Sequence, residues 1–324
     1  VQQAMKASDF TVELEEIDDG QALMLWNEVR RASAFTHPEV LGRIAREVRW
    51  WLARESGQPA WLWPACVDAS GRLKAPELCN YVGPIRIGDP DPSPRRRLVR
   101  DAAIHGTMLD ALTGVFGTLE WSTMPGEHDL RSWLWHGADG RRPVALPRYT
   151  AVIDGPFPDR EEGLLDHFSR TRRKEARAAS AKGPVLLPAA GADRVKALYR
   201  NTLAVQGAAH VAERRMGEVE ALVELASRGH GRVLTFGIGD DGIARAVWII
   251  LVAKGCAYAV LGASDHAWRE ARLNAFGTLQ CIMAARDMDA QRYDFVGANS
   301  PHRGSDKHSY GAEAELYFDL KLDT

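Results

Sequence analysis

The sequence runs to 324 residues, 45% of them hydrophobic and 26% charged, with ten tryptophans and a net charge of -2. This is enough apolar material for two cores of ordinary domain size, and it excludes global disorder. The near-neutral balance gives no overall electrostatic case for a nucleic-acid or membrane partner, although a local basic patch can sit inside a neutral total.

The acidic stretch from Val1 to Asp18 lacks the basic start and apolar run of a signal peptide. A strand is expected near Phe10 to Ile17, then amphipathic helices over Gln21 to Arg31 and Pro38 to Val48. From Pro59 to Arg86 prolines and glycines punctuate short aromatic-rich runs, which reads as strands and turns. A long helix follows over Arg97 to Phe116, then a strand over Leu119 to Met124, and the half closes with His128 to Trp135 and a glycine-rich turn.

The second half opens on the strand Tyr149 to Ile153 and a long helical segment from about Arg160 to Lys182, stopped by Gly183-Pro184. Helices are expected at Asp193 to Gln206 and Arg214 to Ser227, then three strands at Arg232 to Ile238, Ile243 to Ala253 and Cys256 to Gly262. A helix over Arg272 to Asp289 and closing strands at Tyr293 to Val296 and Leu316 to Leu320 complete the chain. Gly237 to Gly242 matches GxGxxG, but a dinucleotide fingerprint must open a helix, and this run precedes strand-like residues; it reads as a hairpin turn. The cysteines Cys66, Cys79, Cys256 and Cys281 are unpaired in spacing, and no HExxH or paired Cys/His pattern occurs, so no metal site is expected. No apolar run is long enough for a membrane span, and a cytoplasmic location is the default expectation.

Two segments carry more specific information. Arg170 to Gly183 holds six basic residues and one acidic one. Helical Arg173 and Arg177, at i,i+4, would present two guanidinium forks suited to a phosphate. The second segment is Arg292-Tyr293-Asp294-Phe295-Val296-Gly297, then Asn299-Ser300-Pro301, then Asp306-Lys307-His308-Ser309-Tyr310-Gly311. With Tyr81 to Ile85, Asp129-Leu130-Arg131 and Pro147 to Thr150, these segments resemble the FemABX family of peptidyl and aminoacyl transferases. Arg173, Arg177, Ala179 and Gly183 stand where that family's pattern has them, and the likeness spans roughly residues 35 to 324.

The resemblance implies an α+β protein made of two tandem GNAT-like acyltransferase domains, residues 1-148 and 149-324, each a mixed, mostly antiparallel sheet flanked by helices. It implies transfer of an activated aminoacyl or acyl group to a small-molecule amine to form an amide, with no bound cofactor and the donor as co-substrate. Aminoacyl-tRNA is the expected donor; an acyl-carrier-protein or acyl-CoA thioester is the alternative, and a non-catalytic tRNA- or carrier-binding protein the third. Lys307 matches the lysine to which the family assigns oxyanion stabilisation. An amine nucleophile must also lose a proton, and the same loop offers Asp294, His302 and His308. Arg170, Arg173 and Arg177, with Asn299 and Tyr310, form the expected phosphate- and substrate-binding set. A flexible loop is expected to carry Lys307, so that its removal would slow chemistry and leave stability nearly intact.

The sequence also departs from the family. Only about 26 residues separate Gln206 from Arg232, too few for an inserted helical arm, and Asn274 stands where many relatives have proline. No glycine-rich pyrophosphate loop is present, which weakens an acetyl-CoA reading.

Overall fold

The computed structural model describes residues 11–135 and 142–323, so Phe10 and the glycine-rich stretch 136–141 lie outside the described residues. The chain divides into two compact units, Val1–Pro147 with Leu316–Thr324, and Arg148–Glu315. The C-terminal residues thus join the first unit, where the sequence placed them in the second.

In the first unit, β1 (Val12–Ile17) leads into α1 (Asp19–Glu28), whose start is fixed by a capping box between Asp18 and Gln21. Helix α2 (Pro38–Ile44) is followed by β2 (Val48–Glu55), β3 (Gln58–Cys66) and the short β4 (Ile85–Arg86), and neighbours β1-β2-β3-β4 pair antiparallel. The expected helix over 38–48 ends early because Val48-Arg49-Trp50-Trp51-Leu52 is a strand: Trp50 and Leu52 alternate into the interior at period two. Next come α3 (Pro94–Phe116), β5 (Leu119–Ser122) and the single turn α4 (Arg131–Leu134). The core between α3 and the strands is built on Trp61, Trp63, Trp121 and Trp133, with Ile104, Met108 and Leu112 from the helix.

The second unit opens on β6 (Val144–Asp154). The helical segment expected over 160–182 is broken in two, α5 (Glu161–His167) and α6 (Arg170–Ser180). Ser169 causes the break, since its hydroxyl accepts from the Arg172 N–H and starts a new helix. An unanticipated strand β7 (Pro184–Leu187) follows, then α7 (Ala192–Val205), α8 (Ala209–Arg214) and α9 (Met216–Leu225). Strands β8 (Gly231–Ile238), β9 (Ala246–Ala253) and β10 (Cys256–Ser264) form the expected meander, with the GxGxxG run as the connection from β8 to β9. Helix α10 (Leu273–Arg286) and β11 (Arg292–Asp294) come next. The stretch read as a loop then contains α11 (Pro301–His308), before β12 (Glu313–Leu322) ends the chain by pairing antiparallel with β5. Strand order within the unit is β6-β11-β10-β9-β8-β7, all antiparallel except β10 with β11. No helix among the described residues is long and apolar enough to cross a membrane.

Helix α10 lies on β8, β9 and β10 through a contact that has no slack. A Cβ on Gly277 would overlap the six-membered ring of Trp248, itself 5% exposed. Overpacking of this kind costs about 1–3 kcal/mol. Gly277→Ala should lower the unfolding free energy measured in urea by that amount despite alanine's better helix propensity; a stabilised variant would show that the α10 contact is loose.

Candidate functional site

The parallel pairing of β10 and β11 covers only Cys256–Tyr258 with Arg292–Asp294. Strand β10 continues to Ser264 and shifts register between Ala259 and Leu261, so the two strands part where β11 ends. There the chain turns through two left-handed residues, Val296 (φ 52) and Gly297 (φ 80). Such a turn strains a β-branched residue and must be held by its surroundings.

The donor side is held by Asp294 and Thr150. The Asp294 carboxylate, 1% exposed, accepts from the Val296 N–H at 2.7 Å and from the Thr150 hydroxyl at 2.5 Å, while Thr150 Oγ1 accepts from the Gly297 N–H at 3.2 Å. On the acceptor side stands Lys307. Its ammonium donates to the carbonyls of Phe295 (2.8 Å), Val296 (3.0 Å) and Gly297. Burial pushes the Lys307 pKa down to about 8, with Asp294 pulling the other way. The group stays mostly protonated at neutral pH, with its three N–H bonds engaged. The carrier of Lys307 is a helix, with Ser300 as N-cap and Pro301 in its first turn. That signature is readable in the sequence and outweighs the glycine at 304.

The other expected residues fall into place around this turn. Asn299 Oδ1 accepts from the Tyr149 N–H at 2.6 Å, tying the turn's exit to β6. His308 is exposed and its Nδ1 lies 2.7 Å from the Ala312 carbonyl, so Nδ1–H donates and Nε2 is the nitrogen left to accept a proton. His302 is exposed on the first turn of α11. Tyr310 is buried, its ring stacked on Phe295 and covered by the Arg172 guanidinium 5.1 Å from the centroid. Asp294 is enclosed and committed to the turn, whereas His302 and His308 are exposed to solvent.

Helix α6 sorts its basic residues into two sets. Arg172 binds α11, donating to Ser309 Oγ (2.8 Å), Glu175 (2.7 Å) and Asp306. Arg173 turns back onto the end of α5, donating to the carbonyls of Asp166 (3.2 Å) and Phe168 (3.3 Å). The expected two-fork clamp of Arg173 and Arg177 is therefore not formed, because Arg173 is taken by uncapped carbonyls. Arg170, Lys174 and Arg177 are the exposed set, without an ion-pair partner among the described residues. Their spacing of i, i+4 and i+7 puts them on one face.

The first unit holds a recess that sequence reasoning missed. It has a volume of about 460 Å³ between β4, the start of α3 and the segment after β5, and Arg31, Arg86, Arg97, Asp101, His105 and Glu127 line it. A wider recess of about 820 Å³ shares Arg86, Arg97 and Asp101 and is bounded by Arg95 and Arg96. Arg86 is ion-paired to one oxygen of Asp101 and lies 4.5 Å from the Trp61 ring centroid. His105 is stacked on Trp133, with Nδ1 3.0 Å from the Ser132 hydroxyl. Burial, and then the Arg86 charge, hold the His105 pKa well below its usual range, so the ring is neutral. Glu127 is pushed up to about 7 by burial, against the pull of Arg31, the Trp133 indole and Arg86. The arginine run 95–97 and the titratable run Glu127-His128-Asp129 were visible signals, but no spacing rule links them to Asp101 and His105.

With the geometry in hand, the comparisons with known proteins are specific. A family profile for the acetyltransferase (GNAT) domain matches residues 166–304. No curated protein matches the sequence. Among solved structures the chain is similar to FemX, with TM-score 0.58 and 12% identity over 95% of this chain and 96% of that one. It is also similar to a tandem GNAT protein from the clavulanic acid biosynthesis pathway, with TM-score 0.58 and 12% identity over 96% and 98%. A third is the C-terminal domain of a putative lysylphosphatidylglycerol synthetase from Agrobacterium fabrum, with TM-score 0.54 and 12% identity over 95% and 92%.

Two measurements probe these groups. Lys307→Met strips three carbonyls of a charged donor, and hydrogen bonds to charged groups contribute about 1.5–3 kcal/mol each before relaxation, so a net loss of about 2–4 kcal/mol is expected in chemical denaturation. Unchanged stability with slowed transfer would return Lys307 to a direct oxyanion role. For Glu127 the folded pKa of about 7 lies above the ordinary 4.5, so the folded state holds its proton longer. Its contribution to stability must then fall as pH rises from 4.5 to about 7. Glu127→Gln should flatten that part of the melting profile; a profile parallel to wild type would place the carboxylate in water.

Proposed function

We propose that this chain, an acyltransferase with a GNAT domain across residues 166–304, moves an activated aminoacyl group from aminoacyl-tRNA to an amine to form an amide. The observation that carries the donor is the exposed basic face of α6, Arg170, Lys174 and Arg177, which lies inside the matched segment and is left over after Arg172 and Arg173 are spent on packing. Three cations on one helical face suit a run of phosphates better than one pyrophosphate. The likeness to a putative lysylphosphatidylglycerol synthetase supports an aminoacyl cargo. In this reading the turn at 294–297 forms the floor where β10 and β11 part, and Lys307 is a positioning residue that fixes its carbonyls. His308 Nε2 takes the amine proton as the new C–N bond forms and the ester bond to the donor breaks.

A thioester donor, acyl-CoA or an acylated carrier protein, is the second reading, favoured by the GNAT match itself. Both are tested by offering radiolabelled aminoacyl-tRNA, acyl-CoA and charged carrier protein with a panel of amines. The first reading predicts an alkali-stable amide from aminoacyl-tRNA alone. Replacing Arg170, Lys174 and Arg177 by glutamine should raise KM for tRNA at least about tenfold and flatten its salt dependence, with kcat within about twofold. Transfer only from a thioester selects the second reading, and transfer from none removes both.

A further inference from the structure

We infer that the recess in the first unit is a binding site for a small ligand carrying a primary ammonium at one end and an anionic group, carboxylate or phosphate, at the other. This goes beyond acyl transfer and its test needs no turnover, so either can fail without the other.

The inference starts from polar groups that the fold leaves unmet. Asp101 is 8% exposed; its Oδ2 takes Arg86, while buried Oδ1 has no protein partner. His105 is 1% exposed, and with Nδ1 on Ser132 its Nε2 is likewise unpartnered. A buried acceptor left unmet is costly, so an unpartnered carboxylate oxygen on a residue that lines a cavity of about 460 Å³ calls for a donor from the ligand. Glu127 adds a second carboxyl on the same wall. The opposite need stands at the start of α3. Arg97 lines both recesses, and its side chain makes no hydrogen bond among the described residues, contributing only charge toward Asp129. It is followed in the wider recess by Arg95 and Arg96.

The recess is balanced in charge, which excludes a simple anion or a simple cation. Arg30 is neutralised by Asp89, Arg86 by Asp101 and Asp129 by Arg131. What remains among the lining residues is an acceptor pair, Asp101 and Glu127, and a donor, Arg97, one turn before Asp101 on α3. A hydroxyl would satisfy one acceptor lone pair, whereas an ammonium brings three donors and a charge that draws Glu127 into its ionised form. Groups facing Glu127 are Arg31 from the segment after α1, Arg86 from β4, Asp101 from α3, Trp133 from α4, and His128 and Asp129 beside it. An ammonium there favours the carboxylate over the acid, so affinity should rise with pH through about 7.

The test is calorimetric titration of the whole chain with β-alanine, 4-aminobutyrate, 6-aminohexanoate and O-phosphoethanolamine, beside butylamine, butyrate and 4-hydroxybutyrate. At least one two-ended probe should bind about tenfold or more tightly than either half alone. The ranking of O-phosphoethanolamine against the amino acids distinguishes a phosphate from a carboxylate. Arg97→Gln should reduce that affinity about tenfold, and Glu127→Gln should remove the rise between about pH 5.5 and 8 for the amino acids, whose own charges are constant there. Equal binding of 4-hydroxybutyrate overturns the ammonium. Saturable binding by none of the probes up to about 10 mM overturns the site. Wild-type-like circular dichroism of each variant separates lost binding from lost folding.

Discussion

The second unit depends on how the chain leaves β11. Its parallel partnership with β10 lasts three residues, and a strand abandoned by one neighbour must dispose of its next backbone groups without water. The chain does this by turning through Val296 and Gly297 in the left-handed region and meeting their N–H groups and three successive carbonyls with side chains. Asp294 and Thr150 take the N–H groups and Lys307 takes three successive carbonyls. Helix α11, started by Ser300 and Pro301, carries Lys307 to those carbonyls, and Arg172 locks α11 to α6 through Ser309 and Asp306. One turn thereby links β6, β11, α11 and α6, the elements that bear the segments resembling FemABX proteins.

Charge is used differently in the two units. In the second, arginines of α6 are divided between packing and solvent, and what faces solvent, Arg170, Lys174 and Arg177, is a basic stripe, a surface for long-range attraction. In the first, Arg30 and Arg86 beside the recess each have an acid against them, and the unmet groups are of both signs: a carboxylate oxygen of Asp101 and the guanidinium of Arg97. Single-sign stripes attract polyanions and respond to salt, while balanced walls select for shape and for the spacing of opposite charges.

The meander β8-β9-β10 and helix α10 were legible in the sequence because each is long, periodic and bounded by turn residues. Misreadings came where a local signal was short. Ser169 splits one apparent helix into two, Ser300-Pro301 starts another inside an apparent loop, and Val48 begins a strand inside an apparent helix. The sequence singled out Lys307, Asp294, Arg173 and Asn299 as candidates but not what they touch. Side-chain partners such as the Phe295, Val296 and Gly297 carbonyls are set by tertiary approach, which no spacing encodes. Arg173 and Arg177 illustrate the cost of reading a helix face without its surroundings: four residues apart, one caps α5 and the other meets solvent. Asp101, His105 and Glu127 were invisible as a group because α3, α4 and the loop after β5 converge only in the folded sheet.

The central claim is that Lys307 acts by clamping the 294–297 turn. Amide hydrogen exchange at Val296 and Gly297 tests it most directly, since both N–H groups are bonded only while the turn is held. In the wild type these amides should exchange as slowly as those of β11, and in Lys307→Met they should exchange about a hundredfold faster while α10 is unaffected. Equal protection in the two proteins would contradict the clamp and leave the lysine free for another task.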